Sequence, residues 1–192
     1  MSAQPARTRA HSHRETQLMS SSEIDRTLVR LAHEIVEKTS GVQNLGLVGI
    51  KRRGVPLAQR LGKLIQRIER VKTPVGSLDI ALYRDDLTQV APKPVVQKAE
   101  IGFDVGGMDI ILVDDVLFTG RTTRAAMDAL FDHGRPRRVQ LCVLMDRGHR
   151  ELPIEAAFVG RRIETSLQQV VKVNLSEVDG LDKVILVETP PR

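Results

Sequence analysis

The sequence predicts an α/β fold, with a largely parallel β-sheet flanked by helices. Short apolar segments alternate along the chain with segments whose apolar residues recur at helical spacing, which is typical of α/β domains. Aromatic residues make up only 3% of the chain and tryptophan is absent. Val, Ile, Leu and Ala must therefore form the core, as is usual when a parallel sheet is covered by helices. At 192 residues, the chain suits one domain rather than two.

Composition narrows the classes of function. No apolar segment is long enough to cross a bilayer, and the N-terminal residues are polar and basic, unlike a secretion signal. The single cysteine, Cys142, excludes an internal disulfide and lies in an apolar segment typical of a buried, unreactive thiol. We therefore expect a cytoplasmic protein without membrane contact. The net charge of +5 favours anionic partners, although a solvated basic surface would explain it equally well.

The N-terminal part is predicted to be a disordered tail over residues 1–19, followed by one domain over residues 20–192. The tail contains almost no apolar side chains, so it cannot bury enough surface to offset the entropy cost of ordering. Order is expected to begin with a helix, since Ser20 and Glu23 have the spacing of a capping box. The apolar residues that follow at helical spacing are Ile24, Leu28, Leu31 and Ile35, and Gly41 marks the predicted end.

The next segment predicts a strand, a basic loop and a second helix. Residues Leu45–Ile50 form the short apolar strand, and Pro56 occupies a position that favours a helix start. A third strand is expected over 77–82. The polar segment 84–107 lacks periodicity and is longer than most internal loops, so we interpret it as a flexible lid.

The second half of the chain continues the alternation. Residues 146–166 are charged and irregular, and we interpret them as a small hood over the site. Gly134 ends the helix that precedes this segment. The other predicted elements are a strand over 109–113, a helix over 122–133, a strand over 139–145, and closing strands over 170–175 and 183–188.

The most informative segment is 110–123, where an apolar strand delivers Asp114 and Asp115 to a turn rich in hydroxyls that precedes a helix. Open α/β sheets bind ligands at the carboxyl ends of their strands, and a helix N-terminus there suits a phosphate group. The carboxylates suit ribose hydroxyls, or Mg²⁺ that arrives with the ligand. A helix cap alone would need one carboxylate and no hydroxyl cluster, so a sugar phosphate site is favoured. The residues predicted to bind the phosphate are Thr119, Gly120, Arg121, Thr122 and Thr123.

A basic loop gives a second candidate for anion binding. Lys51, Arg52 and Arg53 offer positive charge directly after the first core strand. Gly54 is expected to relieve backbone crowding next to a polyanion. Alone, a basic tripeptide is more often a solvated turn. Together with the acidic strand end, it indicates a site for a polyanion.

Segment 110–123 closely resembles the ribose-phosphate motif of type I phosphoribosyltransferases, and segment 48–54 resembles the pyrophosphate loop of the same family. Segments 82–88 and 146–154 resemble the branch of that family whose members combine uracil phosphoribosyltransferase activity with regulation of pyrimidine genes. The resemblance covers nearly the whole chain after the tail. It implies the family fold, a largely parallel sheet flanked by helices, with a small hood and a flexible lid loop.

The resemblance also implies a reaction. Uracil would attack the anomeric carbon of 5-phosphoribosyl 1-pyrophosphate (PRPP), giving UMP and pyrophosphate, with Mg²⁺ as the cofactor. The catalytic residues would be Asp114, Asp115 and Arg84, and the two aspartates are also candidate ligands for the Mg²⁺ that arrives with PRPP. The pyrophosphate would be bound by Lys51, Arg52, Arg53 and Gly54. Uracil would lie under the hood near Met145, Asp146 and Arg147.

The same branch implies binding of a pyrimidine-operon messenger RNA leader, strengthened by uridine nucleotides such as UMP and UTP. Val29 and Glu155 depart from the family pattern, because better-known relatives carry a hydroxyl and a basic residue there. An exposed acidic side chain in such a surface weakens phosphate attraction by about 1 kcal/mol or less. The family also implies a homo-oligomer, a dimer or larger. The candidate RNA-binding residues are Arg30, His33, Lys38, His149, Arg150 and Arg161.

Several functions remain open from the sequence. The first is an enzyme that also regulates by binding RNA. The second is an enzyme whose regulatory role has decayed, or which acts on translation instead of transcription. A regulator that senses PRPP or UMP with little catalysis, and a phosphoribosyltransferase for a purine or orotate, are further alternatives. The hood sequence argues against a different base.

Overall fold

The computed structural model describes residues 15–39, 41–80 and 100–188 of the chain. Within these ranges, helices separate most of the consecutive strands in the first half, three strands follow the third helix without a helix between them, and the strands form two separate sheets. The elements are, in chain order, β1 (Glu15–Ser20), α1 (Ser21–Thr39), β2 (Leu45–Ile50), α2 (Gly54–Glu69), β3 (Val75–Leu78), β4 (Asp109–Leu117), α3 (Arg121–Phe131), β5 (Arg138–Asp146), β6 (Phe158–Arg162), β7 (Gln169–Asn174), α4 (Ser176–Asp179) and β8 (Lys183–Glu188).

The larger sheet has five strands in the order β3-β2-β4-β5-β6, and every pair in it is parallel. The chain leaves β2 through α2 to reach β3 on one side, whereas β4 lies on the other side of β2. The strand order therefore reverses between β2 and β4. In open parallel sheets, ligands bind in the crevice at the carboxyl ends of the strands that flank such a reversal. The predicted α/β fold with a parallel sheet is confirmed.

Helices cover both faces of this sheet, because its strands are apolar on both sides. Along β4, Ile111 and Val113 pack with α1 and α2 on one face. Ile110 and Leu112 alternate with them and pack with α3 on the other face. The predicted capping contact at the start of α1 is present, since the carboxylate of Glu23 accepts hydrogen bonds from the backbone N–H and the hydroxyl of Ser20.

A second, antiparallel sheet with the strand order β1-β8-β7 corrects two predictions. We call β1, β7, α4 and β8 together the accessory layer. The prediction of a disordered tail over residues 1–19 is wrong for residues 15–19. These residues form β1 together with Ser20, and Met19 is buried in the core. Residues 1–14 lie outside the described ranges. The two predicted closing strands exist as β7 and β8, but they join the small sheet rather than the parallel one.

The boundaries of several other elements also differ from the predictions. The irregular hood predicted over 146–166 contains β6, which pairs with β5 and buries Phe158 completely. Strand β4 continues to Leu117 instead of ending at Val113, so both predicted catalytic aspartates belong to the strand itself. Strand β3 begins two residues before the predicted strand.

The predicted lid over 84–107 is only partly within the described ranges. The prediction of a flexible lid is wrong for residues 100–107. Ile101 and Val105 are buried in the core, and the carbonyl of Glu100 accepts a hydrogen bond from the backbone N–H of Ser77. The rest of the predicted lid, 84–99, lies outside the described residues, as does the predicted catalytic residue Arg84. None of the helices that the structure describes is long and apolar enough to span a bilayer.

Candidate functional site at the sheet reversal

The crevice between β2 and β4 is flanked by the two loops that the sequence singled out. The loop after β2 carries Lys51, Arg52 and Arg53, and the loop after β4 carries Thr119 and Gly120. The strands are hydrogen-bonded neighbours, with Gly49 opposite Val113 in the register. The last residues of β4, including Asp114 and Asp115, therefore extend beyond this pair into the crevice.

The two aspartates differ in exposure, and therefore in whether their side chains can contact a ligand. Asp114 is only 7% exposed, and one oxygen of its carboxylate accepts the backbone N–H of Asp115 at 2.9 Å. Burial, reinforced by the charge of Asp115, raises the pKa of Asp114 well above its ordinary value. Burial also raises the pKa of Asp115, although less of its surface is covered. Asp115 is therefore the carboxylate that can reach a ligand, and Asp114 orients it.

The loop after β4 has the form of a phosphate site. Gly120 adopts a left-handed conformation with φ of 92°, and α3 begins at the next residue without a side-chain cap. The backbone of Thr119 is held from outside, since its carbonyl accepts hydrogen bonds from the N–H groups of Glu151 and Leu152. The first N–H groups of α3 thus lie beside a braced turn, which is the arrangement that binds phosphate at helix N-termini.

The predicted phosphate-binding side chains are not equivalent. Thr119 and Thr122 are partly exposed, whereas Thr123 is buried and can offer only its backbone N–H. Arg121 is exposed and forms an ion pair with Glu151, with the Nε–Oε2 atoms 2.6 Å apart. This pair lies outside the turn and ties α3 to the segment after β5.

The basic loop is held in place by contacts that the sequence did not reveal. Lys51 is exposed and lies 3.8 Å from a carboxylate oxygen of Asp79, and Arg52 is exposed. The peptide bond between Lys51 and Arg52 is cis. Arg53 donates two hydrogen bonds to Asp179 of α4, at 3.0 and 2.7 Å. Its guanidinium is thus bound to the accessory layer.

Gly54 has a packing role that the sequence did not predict. A Cβ atom at this position would lie 2.2 Å from the carbonyl oxygen of Val113. No side chain fits there, because real Cβ contacts of this length do not occur. The glycine is therefore required for close packing of α2 against β4, next to the carboxylate pair.

The residues predicted to bind uracil lie at the carboxyl end of β5. The side chain of Met145 is completely buried, so only its backbone could contact a ligand. Arg147 is also buried, and burial lowers its pKa. Its guanidinium lies 4.0 Å from the centre of the Phe118 ring and donates to Thr165 and Ser166. Phe118, Thr165 and Ser166 were not predicted, since no pattern links them to Arg147 in the sequence.

Asp146 organises the loop that follows β5. Its carboxylate accepts hydrogen bonds from Arg150 at 2.6 Å and from the N–H of Gly148 at 3.1 Å. Arg150 also donates to the carbonyls of Phe118, Gly148 and Ile154. Two open cavities, of 430 and 610 Å³, adjoin Asp146 and Arg150, and both also include Arg162 of β6.

The six candidate RNA-binding residues surround the edge strand β6. Lys38 and Arg30 of α1 donate to backbone carbonyls of 157–160, and Arg161 donates to the carbonyl of Leu18. His33 is exposed on the same helix. His149 and Arg150 lie beyond the carboxyl end of β5, where a ring nitrogen of His149 lies 2.6 Å from the carbonyl of Thr165. Arg30, His33, Lys38 and Arg161 thus form one basic surface, while His149 and Arg150 chiefly fold their own loop.

The carboxylate pair is the part of the described chain that fits a divalent cation. No cluster of three or more metal-binding side chains occurs in the ranges that the structure describes. Asp114 and Asp115 nevertheless present adjacent carboxyl groups. Burial disfavours the negative charge on both of them, and Mg²⁺ bound to their oxygens would stabilise that charge. A cation there would need further oxygen ligands from a bound phosphate compound.

Comparison with known proteins agrees with this geometry. The family model of the phosphoribosyl transferase domain matches residues 16–177. A Thermoanaerobacter protein (strain X514) named bifunctional protein PyrR is 55% identical over 174 residues, which cover 91% of this chain and 98% of the relative. A protein of the same name from Thermus aquaticus is 56% identical over 174 residues, covering 91% and 96% of the two chains.

Solved structures agree with the fold. The hypoxanthine phosphoribosyltransferase of Trypanosoma cruzi superimposes with a TM-score of 0.70 and 19% identity, covering 95% of each chain. The enzyme of the same name from Staphylococcus aureus gives a TM-score of 0.68 and 19% identity, covering 91% of this chain and 93% of its own. At such low identity the likeness concerns the fold alone.

Proposed function

Since this chain belongs to the phosphoribosyltransferase domain family and, within it, to the PyrR proteins, we propose that it transfers the phosphoribosyl group of PRPP to uracil and also regulates pyrimidine genes by binding RNA. The observation that carries the enzymatic half is the crevice between β2 and β4. It brings together the Asp114–Asp115 pair, a phosphate turn on one side and a basic loop on the other. A sugar that carries a phosphate at one end and a pyrophosphate at the other matches all three.

In the proposed reaction, N1 of uracil forms a bond to C1′ of the ribose as the bond from C1′ to pyrophosphate breaks. The N1 proton is released, and the products are UMP and pyrophosphate. The ribose passes through a state with oxocarbenium character, so negative charge beside the ring stabilises it. Asp115 is suited to this role because it is the more exposed of the two carboxylates, and Asp114 holds its backbone.

The turn after β4 would hold the 5′-phosphate. The N–H groups at the start of α3 donate to the phosphate oxygens, and the hydroxyls of Thr119 and Thr122 add further donors. Thr123 contributes its N–H only, since its side chain is buried. Gly120 is required at the turn because its φ of 92° is disfavoured for other residues.

The basic loop would receive the pyrophosphate. Lys51 and Arg52 are exposed beside the crevice and supply positive charge to the leaving group. Mg²⁺ bound together with PRPP would add charge stabilisation for the departing pyrophosphate, with Asp114 and Asp115 as its candidate protein ligands. Arg84 is a further candidate for catalysis and lies outside the described residues.

Uracil would lie at the carboxyl end of β5. Met145, Asp146 and Arg147 remain the candidate residues there, although the Arg147 side chain is committed to Phe118, Thr165 and Ser166 and its N–H donates to the carbonyl of Leu117. The carbonyls of Asp146 and Arg147 already accept from Ile163 and Thr165, but a carbonyl oxygen can accept a second hydrogen bond, which suits the N–H of a pyrimidine. A purine or orotate remains the alternative substrate, and the base assignment is therefore the first part to test.

For the regulatory half, we propose that the basic surface around β6 binds a pyrimidine-operon messenger RNA leader, and that uridine nucleotides in the crevice strengthen this binding. Lys38 and Arg161 on one side of β6 and Arg162 on the other supply the charge. Glu155 lies 4.0 Å from Arg162 and compensates part of that charge. The cavities beside Arg150 and Arg162 have room for an unpaired base.

Both activities would take place in the cytoplasm, where uracil, PRPP and messenger RNA occur together. We further propose a homo-oligomer, a dimer or larger, as the working form. A regulator that senses UMP or PRPP with little catalysis is the second candidate function. It is favoured by the ion pair and buried contacts that already occupy Arg53 and Arg147.

The deciding experiment is an assay of nucleotide formation from PRPP and Mg²⁺ with uracil, orotate, hypoxanthine and guanine in parallel. Selective formation of UMP supports the proposed enzyme. Selective use of another base contradicts the uracil assignment but keeps the phosphoribosyl site. No turnover with any base, by folded protein that still binds UMP, supports the sensing regulator instead.

A further inference from the structure

The loop after β2 and the accessory layer are joined by a bidentate ion pair. The Nε and Nη2 atoms of Arg53 donate to the two carboxylate oxygens of Asp179, at 3.0 and 2.7 Å. Asp179 is itself fixed, because one of its oxygens also accepts the backbone N–H of Leu175 at 2.9 Å. A planar guanidinium held at two points by an anchored carboxylate has little rotational freedom.

Arg53 also acts toward the candidate active site. The next residue, Gly54, packs directly against β4, because a Cβ there would lie 2.2 Å from the carbonyl oxygen of Val113 and 3.3 Å from the Cα of Asp114. Arg53 therefore lies at the start of α2, beside the carboxylate pair. The pKa of Arg53 is raised, first by the hydrogen bonds to Asp179 and also by the charge of Asp115. Arg53 therefore connects Asp179 of the accessory layer to the start of α2, which packs against the carboxylate pair of the crevice.

A second bridge between the same elements provides a comparison. Arg60 of α2 lies seven residues after Arg53, the residue that precedes this helix, and seven residues correspond to about two helical turns. It donates to Asp182 and Glu177, and Asp182 also accepts the backbone N–H of Ser176 at 2.7 Å. Asp179 and Asp182 thus have parallel environments, each with one backbone N–H and one arginine, which is Arg53 just before α2 for Asp179 and Arg60 within α2 for Asp182. They differ in that Arg53 borders the crevice and Arg60 does not.

We propose that Asp179 is a positioning residue for phosphoribosyl transfer, which holds the Arg53 guanidinium beside Asp115 and thereby fixes the basic loop in the conformation that receives pyrophosphate. The inference rests on the proposed function and goes beyond it, since it assigns a role to the accessory layer. Arg53 connects this layer to the leaving-group end of the crevice. The Arg60 bridge only fastens the layer to α2.

The test compares Asp179→Asn with Asp182→Asn. Binding of pyrophosphate and of PRPP with Mg²⁺ is measured by calorimetry, and the KM for PRPP, the KM for uracil and kcat are measured separately. We expect Asp179→Asn to weaken pyrophosphate binding and to raise the KM for PRPP by about tenfold, a usual size for coupled contacts. The KM for uracil should stay within about twofold. Asp182→Asn should lower the melting temperature at least as much while leaving both affinities unchanged.

Two further variants separate positioning from general loss of structure. Asp179→Glu keeps the carboxylate and should restore part of the pyrophosphate affinity, and Arg53→Lys should make a subsequent Asp179→Asn change nearly silent. Equal effects of Asp179→Asn and Asp182→Asn, or additive effects of Arg53→Lys and Asp179→Asn, would overturn the proposal. Pyrophosphate binding needs no turnover, so weakened binding by Asp179→Asn supports the positioning role even if the protein uses no base. The absence of turnover with every base would contradict the proposed enzyme but not the positioning role. Wild-type protein that does not bind pyrophosphate contradicts both.

Discussion

The backbone N–H of Asp115 donates to the carboxylate of Asp114 at 2.9 Å, which makes one carboxylate the support of the other. The two residues are adjacent in β4, but Asp114 is buried and Asp115 is partly exposed. The relationship predicts that the same substitution has unequal effects at the two positions. An asparagine at 114 can still accept this hydrogen bond through its amide oxygen, whereas an asparagine at 115 loses the charge that we propose faces the ribose.

We therefore expect Asp115→Asn to lower kcat/KM for PRPP by about 100-fold or more, the usual cost of losing one electrostatic contact to a transition state. Asp114→Asn should cost clearly less. Neither variant should have a lower melting temperature, because burial already disfavours both charges. Steady-state kinetics with uracil and thermal unfolding check both expectations. Full activity of Asp115→Asn would refute the ribose role.

Gly54 is predicted to be essential for packing beside this pair. Its missing Cβ would lie 2.2 Å from the carbonyl oxygen of Val113, and backbone cannot move away as a side chain can. We expect Gly54→Ala to lower the free energy of unfolding by about 3 kcal/mol and to reduce activity, since α2 must shift from β4.

Gly62→Ala is the matched control for Gly54→Ala in the same helix. Its Cβ would meet a methyl group of Val75 at 2.8 Å, and no backbone atom is among the close contacts. The greater helix propensity of alanine offsets part of that clash, by about 1 kcal/mol. Chemical denaturation should give a clearly larger loss for Gly54→Ala, and equal losses would contradict the packing role.

The sequence was informative where the relevant residues are contiguous. Segment 110–123 contains the strand, both aspartates and the phosphate turn in one stretch, so local patterns alone predicted the crevice. The Arg53–Asp179 pair was missed because 126 residues separate its members and no local pattern links Asp179 to the basic loop. Its two carboxylate–arginine contacts depend on how the accessory layer packs, which no local property encodes.

The accessory layer itself was also beyond local patterns. β1 contains four polar residues beside Leu18 and Met19, and it becomes a strand because β8, far along the chain, pairs with it. β6 was missed for a similar reason, since its last two residues are exposed arginines and only Phe158 is fully buried. In both strands, pairing with a distant partner outweighs weak intrinsic preference.

Met19 tests whether β1 is part of the folded protein. Its side chain is 3% exposed and packs in the core with α1 and the accessory layer. We expect Met19→Ala to lower the free energy of unfolding by about 2 to 4 kcal/mol. Gln17→Ala, at an exposed position of the same strand, should change it by less than about 0.5 kcal/mol. Denaturant titration distinguishes the two variants. An unchanged free energy of unfolding for Met19→Ala would contradict the burial of β1 and support a disordered tail instead.

The Arg60 bridge should make stability depend on acid pH. The hydrogen bond from Arg60 lowers the pKa of Glu177. Burial of Asp182 works in the opposite direction, but the hydrogen bonds from Arg60 and Ser176 outweigh it and leave its pKa lowered as well. A carboxylate with a lowered pKa stabilises the fold above its unfolded-state pKa. That contribution is lost as the pH falls through the folded-state pKa, below about 4.

Arg60→Met should therefore cost about 1 to 2 kcal/mol at neutral pH, a value between those for exposed and buried pairs. The difference from wild type should shrink toward zero below about pH 4, as the wild-type carboxylates become protonated. Arg67→Met, at an exposed position one further heptad along α2, serves as the control and should be neutral throughout. Thermal unfolding at a series of pH values provides the measurement, and a pH-independent cost of Arg60→Met would argue against the bridge.

The basic surface around β6 predicts a separation of RNA binding from catalysis. Lys38 and Arg161 are exposed and lie away from the crevice, so Lys38→Gln and Arg161→Gln should weaken binding of the operon leader without changing UMP formation. Each lost phosphate contact should reduce the salt dependence, the slope of log K against log salt concentration, by about 1.

Arg150→Gln should impair both activities, because its four hydrogen bonds fold the loop beside the uracil end of the crevice. Arg135→Gln, exposed at the amino end of β5, is the control of equal charge loss. Filter binding with and without UMP measures the effect, and equal weakening by Arg135→Gln would mean that binding follows net charge rather than this surface.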